Sequence, residues 1–355
     1  MSIEFKTQRG RAFVDSESFA VTTTVETPKV RTNLTKSQYY IKSASQLKQE
    51  LAREIPKDVL RELHRKRAWL HFLVLFRQFA FIALGSYVSY HYDQWYFWIP
   101  AAVVVGFTAF NFTVLLHEVV HKAVFEKPSA AGERFLGLLY AFPSGISATQ
   151  FTRWHLDHHD NLGSPTDDPK RFNLSPKKNS RLLKLAYFTP ALFPIYFRAA
   201  KNETSTYPPE LQKTVKTERI LTILGHLAIL GTLWATLGTW LAFKLYMAPY
   251  FLVFPIAFAL NRSGQHYNID PNDPAKWSTL VKSSPFWNFA FLWSNFHLEH
   301  HYFPNVPFYH LTRTHHLLKE FYARRAMVPV GYGELLWNWI VKNGTPHTKW
   351  GCRGS

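Results

Sequence analysis

Residues 69–90 are apolar for 22 positions, broken only by Arg77 and Gln78. Coiled as an α-helix, such a run reaches about 33 Å, enough to cross the hydrocarbon core of a bilayer. A polar turn follows at 91–94, then a second 22-residue run at 95–116. Tyr90, Tyr92, Trp95, Tyr96 and Trp98 crowd around the turn, as aromatics do where a membrane meets water. The pattern predicts a transmembrane hairpin whose ends return to one side. A second hairpin is predicted downstream, where 220–243 is a 24-residue apolar run, "KLYMAP" (244–249) interrupts, and a shorter apolar piece carrying Pro255 continues to Leu260. Between the hairpins, "RFLGLLYAFPSGI" (134–146) and "LAYFTPALFPIYF" (185–197) are apolar but short or broken by proline. Segments of that length are expected to lie in the membrane surface rather than cross it. Ahead of the first hairpin, "SASQLKQELAREI" and "KDVLRELHRKRA" predict amphipathic helices in a polar region.

The expected fold is therefore an all-α integral membrane protein with four transmembrane helices in two hairpins and a large cytoplasmic helical cap. It divides into a cytoplasmic N-terminal region (1–66), hairpin one (67–116), a cytoplasmic and interfacial region (117–219), hairpin two (220–261) and a cytoplasmic C-terminal region (262–355). Charge sets the orientation. The chain carries 41 Lys and Arg against 24 Asp and Glu, a net +17, yet 78–121 holds no Lys or Arg and 220–261 holds only Lys244 before Arg262 resumes the basic pattern. The positive-inside rule puts the basic segments, and so both termini, on the cytoplasmic side. Basic residues scattered in this way argue against a nucleic-acid partner, which needs them gathered on a recognisable module.

Composition adds three constraints. Mean hydropathy is only −0.15, so the apolar runs are balanced by a large polar part. A single cysteine, Cys352, rules out internal disulfides and argues against thiolate metal sites. The opening "MSIEFKTQRGRAFVDSES" lacks an apolar h-region, so no cleavable signal peptide is expected.

The 17 histidines are the chemical anomaly. "HEVVH" gives His117 and His121, "HLDHH" gives His155, His158 and His159, and "HLEHH" gives His297, His300 and His301. One His-x-x-His-His arises by chance in roughly 4 of 100 chains of this composition, and two in well under one. On a helix, positions i, i+3 and i+4 share a face, so each cluster aims its imidazoles one way. Neutral imidazole ligates Zn, Cu, Fe and Ni alike. All three clusters fall at the cytoplasmic ends of the predicted hairpins, and "SGQHYN" adds His266. Eight or nine imidazoles exceed what one metal takes, so the count implies two.

"HEVVH" also matches the zinc-peptidase pattern His-Glu-x-x-His, but that reading leaves the other histidines unexplained. The chain also lacks the Leu-Asp-Gly with which intramembrane peptidases complete their site. Glu118 then becomes incidental, or a support for an imidazole N–H. A metal-binding scaffold or transporter would need polar residues inside the crossings, which hold little beyond Arg77, Gln78, Asn111 and His226.

The three boxes, with "TDDP" (166–169) after the second and "NFHLEHHYFPNVP" (295–307) around the third, resemble the membrane fatty acid desaturase and hydroxylase superfamily over about residues 69–318. The resemblance implies a non-haem diiron centre that uses O2 and two electrons to attack an unactivated C–H bond of a fatty acyl chain. It implies His117, His121, His155, His158, His159, His297, His300 and His301 as iron ligands, with His266 as the extra histidine of stearoyl-type members. The Asn that those members add one turn earlier is not carried over, because position 262 is Arg and Asn261 is out of step. Asp157, Asp160, Asp167 and Asp168 suit the role of orienting the imidazoles. Desaturation comes first; hydroxylation, oxidative decarboxylation of a free fatty acid to a terminal alkene, and carotenoid modification share similar boxes.

A dry tunnel for the chain is expected from "SPFWNFAFLWSNF" (284–296), whose alternative role is packing. Arg153, Lys170 and Arg171 flank box two, placed to hold a carboxylate or phosphate headgroup or simply to be solvated. "HLTRTHH" (310–316) is expected to be a surface helix and no ligand set, and His226 a paired structural residue. His64, His71, His91 and His347 carry no pattern. With no fused cytochrome b5 signature, ferredoxin cysteines or nucleotide-binding glycines, electrons are expected from a separate ferredoxin, rubredoxin or cytochrome b5. The substrate is expected to be a fatty acid, acyl lipid or thioester.

Overall fold

A computed structural model describes residues 39–345 apart from 165 and 177. Most of the N-terminal region, together with His347, lies outside the described residues. Among those described, the chain is helical, and the one β-bridge joins Val281 to Val330. The two amphipathic N-terminal helices form at Ser45–Glu54 and Lys57–Leu63, burying Leu47, Leu51 and Leu63.

Among the described residues, three helical stretches are long and apolar enough to cross a membrane: α1 (Ala68–His91), α2 (Trp95–Val120) and a 58-residue stretch, Pro209–His266. α1 and α2 pack side by side. Gly85 allows the approach, since a Cβ there would meet Val105 at 2.6 Å. α1 keeps an outward apolar face, with Phe76 and Leu84 exposed, whereas α2 is buried along most of its length.

The long stretch is not one rod. At Gly238 the backbone takes φ 79°, ψ 171°, a conformation essentially reserved for glycine. The chain doubles back there. His226 donates from Nε2 to the Phe142 carbonyl at 2.8 Å, accepts at Nδ1 from the Tyr246 hydroxyl, and has the Tyr250 ring 4.9 Å away. In an unbroken helix, residues 226 and 250 would stand about 36 Å apart. The reversal therefore falls before the interruption at 244–249, which the hydropathy pattern suggests as the turn. Those residues instead sit in a wide π-type coil (Phe243–Val253) that accommodates Pro249 and packs on Gly106, where a Cβ would meet Val253 at 2.5 Å. We label Pro209–Ala242, which carries the reversal near its end, α3, and Phe254–His266 on the returning limb α4.

Lys244 explains why the interruption is no turn. It is fully buried, and its ammonium donates to Tyr92 O (3.1 Å) and Asp93 Oδ1 (2.7 Å) in the loop between α1 and α2, while Trp240 Nε1 reaches the same carboxylate at 2.9 Å. The two reversals are thus tied together at one end of the bundle, and the histidines gather at the other.

Candidate metal centre

Each box rides on an element fixed by its own contacts. His117 lies in the last turn of α2 and His121 just past its end. The box-two helix, α5 in order of introduction (Ala148–Asp160), starts at the Ser147 cap. There Ser147 Oγ accepts from Gln150 N and donates to Glu218 Oε2 at 2.6 Å, pinning the helix to α3. His266 is the last residue of α4. Box three forms a short helix, α6 (His297–Tyr302), every residue of its first five buried.

The nine histidines converge in two groups whose donor atoms lie within 4.8 Å of one another: His117, His121, His155, His159 and His300 in one, His158, His266, His297 and His301 in the other. The groups interleave the boxes, so neither forms from a single segment. In the second, His266 Nε2 stands 3.1, 3.0 and 3.2 Å from the Nε2 atoms of His158, His297 and His301. A neutral imidazole nitrogen holds either one proton or one lone pair, so it can satisfy only one of three such neighbours. The far sides of two rings settle which it holds. His158 donates from Nδ1 to Asp168 at 2.7 Å, and His266 donates from Nδ1 to the Trp277 carbonyl at 2.9 Å, leaving both Nε2 atoms as lone-pair donors. Converging lone pairs repel unless a cation sits among them. Metal–nitrogen bonds of roughly 2.1 Å place neighbouring ligands about 3 Å apart. In the first group His121 and His155 approach to 2.7 Å, His159 and His300 to 3.1 Å, and His117 Nε2 is buried without a hydrogen-bond partner. The donor set fits two metal ions.

Electrostatics agree with neutral, ligating rings. Burial lowers His121, His155, His159, His297, His300 and His301 well below the ordinary imidazole pKa, with neighbouring imidazoles adding to the effect on each and Lys170 on all but His301. His158 is lowered less, because Asp168 opposes its burial. Burial alone would raise Asp168, but His158 and the Arg171 N–H hold it below the usual carboxylate range.

The supporting aspartates divide. Asp168 holds His158 and also caps the helix Pro169–Leu174. Asp157 instead takes Arg153 at 2.8 Å, which also removes Arg153 as a free headgroup cation. Asp167 accepts from Ser164 and Thr166, and Asp160 ends its helix half-buried. Glu118 turns from the imidazoles to accept Phe308 N at 3.0 Å, its other oxygen 3.7 Å from His117 Nδ1.

The segment 310–316 is a helix with Arg313 and His316 exposed, as expected of a surface element, but His315 turns inward. His315 is largely buried and donates from Nδ1 to Glu299 Oε1 at 2.5 Å; Tyr322 donates to the same oxygen at 2.8 Å. It holds no place in either group, but it braces α6 through the middle residue of "HLEHH". Only a pairing across 16 positions marks it, which no local pattern reveals.

A cavity opens beside the histidines, about 870 Å3 of empty space counting its open mouth, and touches His117, His155, His297 and His300. Phe110, Phe151, Trp154, Tyr196 and Phe258 wall it, and a second space of about 430 Å3 shares Phe151, Tyr196 and Phe258 and continues towards Phe193 and Phe254. The expected wall from 284–296 contributes only Ser294. Its aromatics pack elsewhere: Phe291 is fully buried and stacks on Trp287 with centroids 5.2 Å apart. Lys170 enters the cavity with Nζ 2.7 Å from His155 Nδ1; burial, then Arg262, push its ammonium down to about 7.

The fatty acid desaturase family model matches residues 93–331, which takes in every histidine of both groups. The chain belongs to the fatty acid desaturase family. Its curated relatives are distant. The sphingolipid delta(4)-desaturase/C4-monooxygenase DES2 of Rattus norvegicus is 26% identical over 249 residues, covering 66% of this chain and 69% of the relative. The sn-1 acyl-lipid omega-3 desaturase (ferredoxin) of Synechocystis sp. is 26% identical over 294 residues, covering 76% and 80%. Desaturase family members are oxidoreductases of lipid metabolism, and the paired histidine groups accord with that membership.

Proposed function

We propose that this chain is an integral membrane, O2-dependent diiron enzyme that oxidises unactivated C–H bonds of a fatty acyl chain, desaturation first. The observation that carries the reading is the pair of imidazole groups, five and four rings, at the mouth of an aromatic-walled cavity. His117, His121, His155, His159 and His300 would hold one iron, and His158, His266, His297 and His301 the other. Such a centre supplies the activation of O2 that C–H cleavage needs. The protein's own share is to bury the rings, to aim His158 through Asp168 and His266 through the Trp277 carbonyl, and to keep water from an apolar chain.

The apolar stretches, the reversal at Gly238 and the distribution of basic residues support a reading with four crossings in two hairpins and both termini and the centre cytoplasmic. The exposed Phe135, Leu182 and Leu183 near the histidine end suit helices lying in that membrane surface. One relative bears a desaturase and a monooxygenase activity in a single name, which supports hydroxylation as the second outcome of the same site. A ferredoxin-linked relative supports a separate small electron donor.

The test is to feed isotope-labelled fatty acids of several lengths to cells expressing the chain and to identify products by mass spectrometry. An internal double bond is expected. A hydroxylated acid or a terminal alkene one carbon shorter would reassign the outcome, and no labelled product with iron present would overturn the reading.

A further inference from the structure

We propose that the cavity takes its substrate as a free carboxylate, held by Lys170 and Arg262 beside the histidines, so that the carbons nearest the carboxyl group face the centre. The proposal rests on the acyl-chain reading above for the tail of the ligand. The anion subsite itself stands on four observations.

First, Lys170 and Arg262 line one wall of the same cavity as His155 and His297. Second, they are adjacent: Arg262 Nη2 donates to the Lys170 backbone carbonyl at 3.3 Å. Third, neither has a carboxylate within 4 Å among the described residues. Asp168, the nearest acid in sequence, is committed to His158 and to the backbone N–H groups of Lys170 and Arg171. Lys170 Nζ meets only His155 Nδ1, which carries a proton when Nε2 ligates and so cannot accept from an ammonium, and Arg262 reaches neutral partners, the Lys170 carbonyl and the Tyr267 side chain. Fourth, Arg262 is buried to about nine-tenths, and its Nε has no partner at all.

A half-buried ammonium beside a buried guanidinium, without a counter-charge, is costly, and proteins keep such an arrangement where an anion completes it. A guanidinium fork and an ammonium together suit a planar carboxylate. The tail then has a continuous apolar path past Phe151 and Phe258 into the second space at Phe193 and Phe197. Since Lys170 Nζ is 2.7 Å from the His155 ring, a carboxylate on that ammonium lies roughly 3 Å further on, and only the first few carbons can reach the imidazoles. A single-chain acid fits this narrow wall, whereas a glycerophospholipid such as phosphatidic acid would have to bring a glycerol backbone and a second chain with it.

The experiment measures equilibrium binding of radiolabelled palmitic acid, methyl palmitate and phosphatidic acid to the full chain in nanodiscs, with iron content followed in parallel. Wild type is expected to prefer palmitic acid over its methyl ester by at least tenfold, with phosphatidic acid no better than the ester. Arg262→Gln and Lys170→Met are each expected to reduce that preference to within about twofold while Arg262→Lys keeps part of it. Product analysis should place the oxidised position within the first few carbons. Equal binding of acid and ester by wild type overturns the proposal, whether or not any variant folds. So does tighter binding of phosphatidic acid, which would assign the cations to a lipid phosphate, or an unchanged preference in Arg262→Gln with iron retained. Loss of the metal reading is a separate result: protein that prefers the acid yet binds no iron would sink the diiron assignment and leave the subsite standing.

Discussion

A histidine ligates a metal best as a neutral ring whose other nitrogen is held by a hydrogen-bond acceptor, and residue by residue this chain supplies the two differently. Burial supplies the first for His121, His155, His158, His159, His297, His300 and His301. The second is supplied by Asp168 for His158 and by a backbone carbonyl for His266. Removing the ligand and removing its orienting partner should therefore differ in degree. His158→Ala is expected to abolish turnover and lower bound iron, whereas Asp168→Asn should weaken iron binding by about 10- to 100-fold with the ring still present. Iron titration of the purified variants checks both, and full occupancy in His158→Ala would undo the ligand assignment. His315 needs a different expectation from that of a surface residue. His315→Ala removes the brace on Glu299, so reduced thermal stability and partial iron loss are expected, with Tyr322→Phe a milder version. An unchanged melting temperature and iron content would show the brace to be idle.

At the scale of elements, the decisive feature is the reversal at Gly238. Its φ and ψ lie where a side chain costs about 1–3 kcal/mol, and nothing stands within 4 Å of the position a Cβ would occupy, so the penalty is one of backbone conformation and not of space. Gly238→Val is expected to lower the melting temperature in detergent by several degrees. Gly231→Val, helical and equally open, should change it little. Equal shifts for the two would remove the backbone argument. The reversal escaped the hydropathy pattern because glycine is neither polar nor long enough to interrupt an apolar run. Lys244 misled in the opposite sense, since a buried lysine that pairs with Asp93 looks, in sequence, like a solvated turn.

Across the whole molecule, the basic surplus has one consequence that can be measured. A donor protein with an acidic docking face should be drawn to the basic side, so raising salt is expected to slow turnover with the donor severalfold and to leave a peroxide-driven reaction unaffected. Equal inhibition of both would leave the charge with its topological role alone. The same view explains why the cavity wall was misplaced. Aromatic density at 284–296 says that the segment is buried, but not against what, and helices distant in sequence supplied the wall instead.

The sequence by itself determined what depends on local order. Periodicity and run length marked the apolar helices, and the i, i+3, i+4 spacing within each box put its imidazoles on one face. The spread of charge suggested an orientation. Only the tertiary structure decided which rings share a group, because His158 parts from His155 and His159 within a single helix turn and joins His266, His297 and His301, the nearest of them 108 positions further along the chain. It also decided that Lys170 and Arg262 meet without a counter-charge. Both are matters of where helices cross, and crossing is set by packing between segments that no spacing along the chain records.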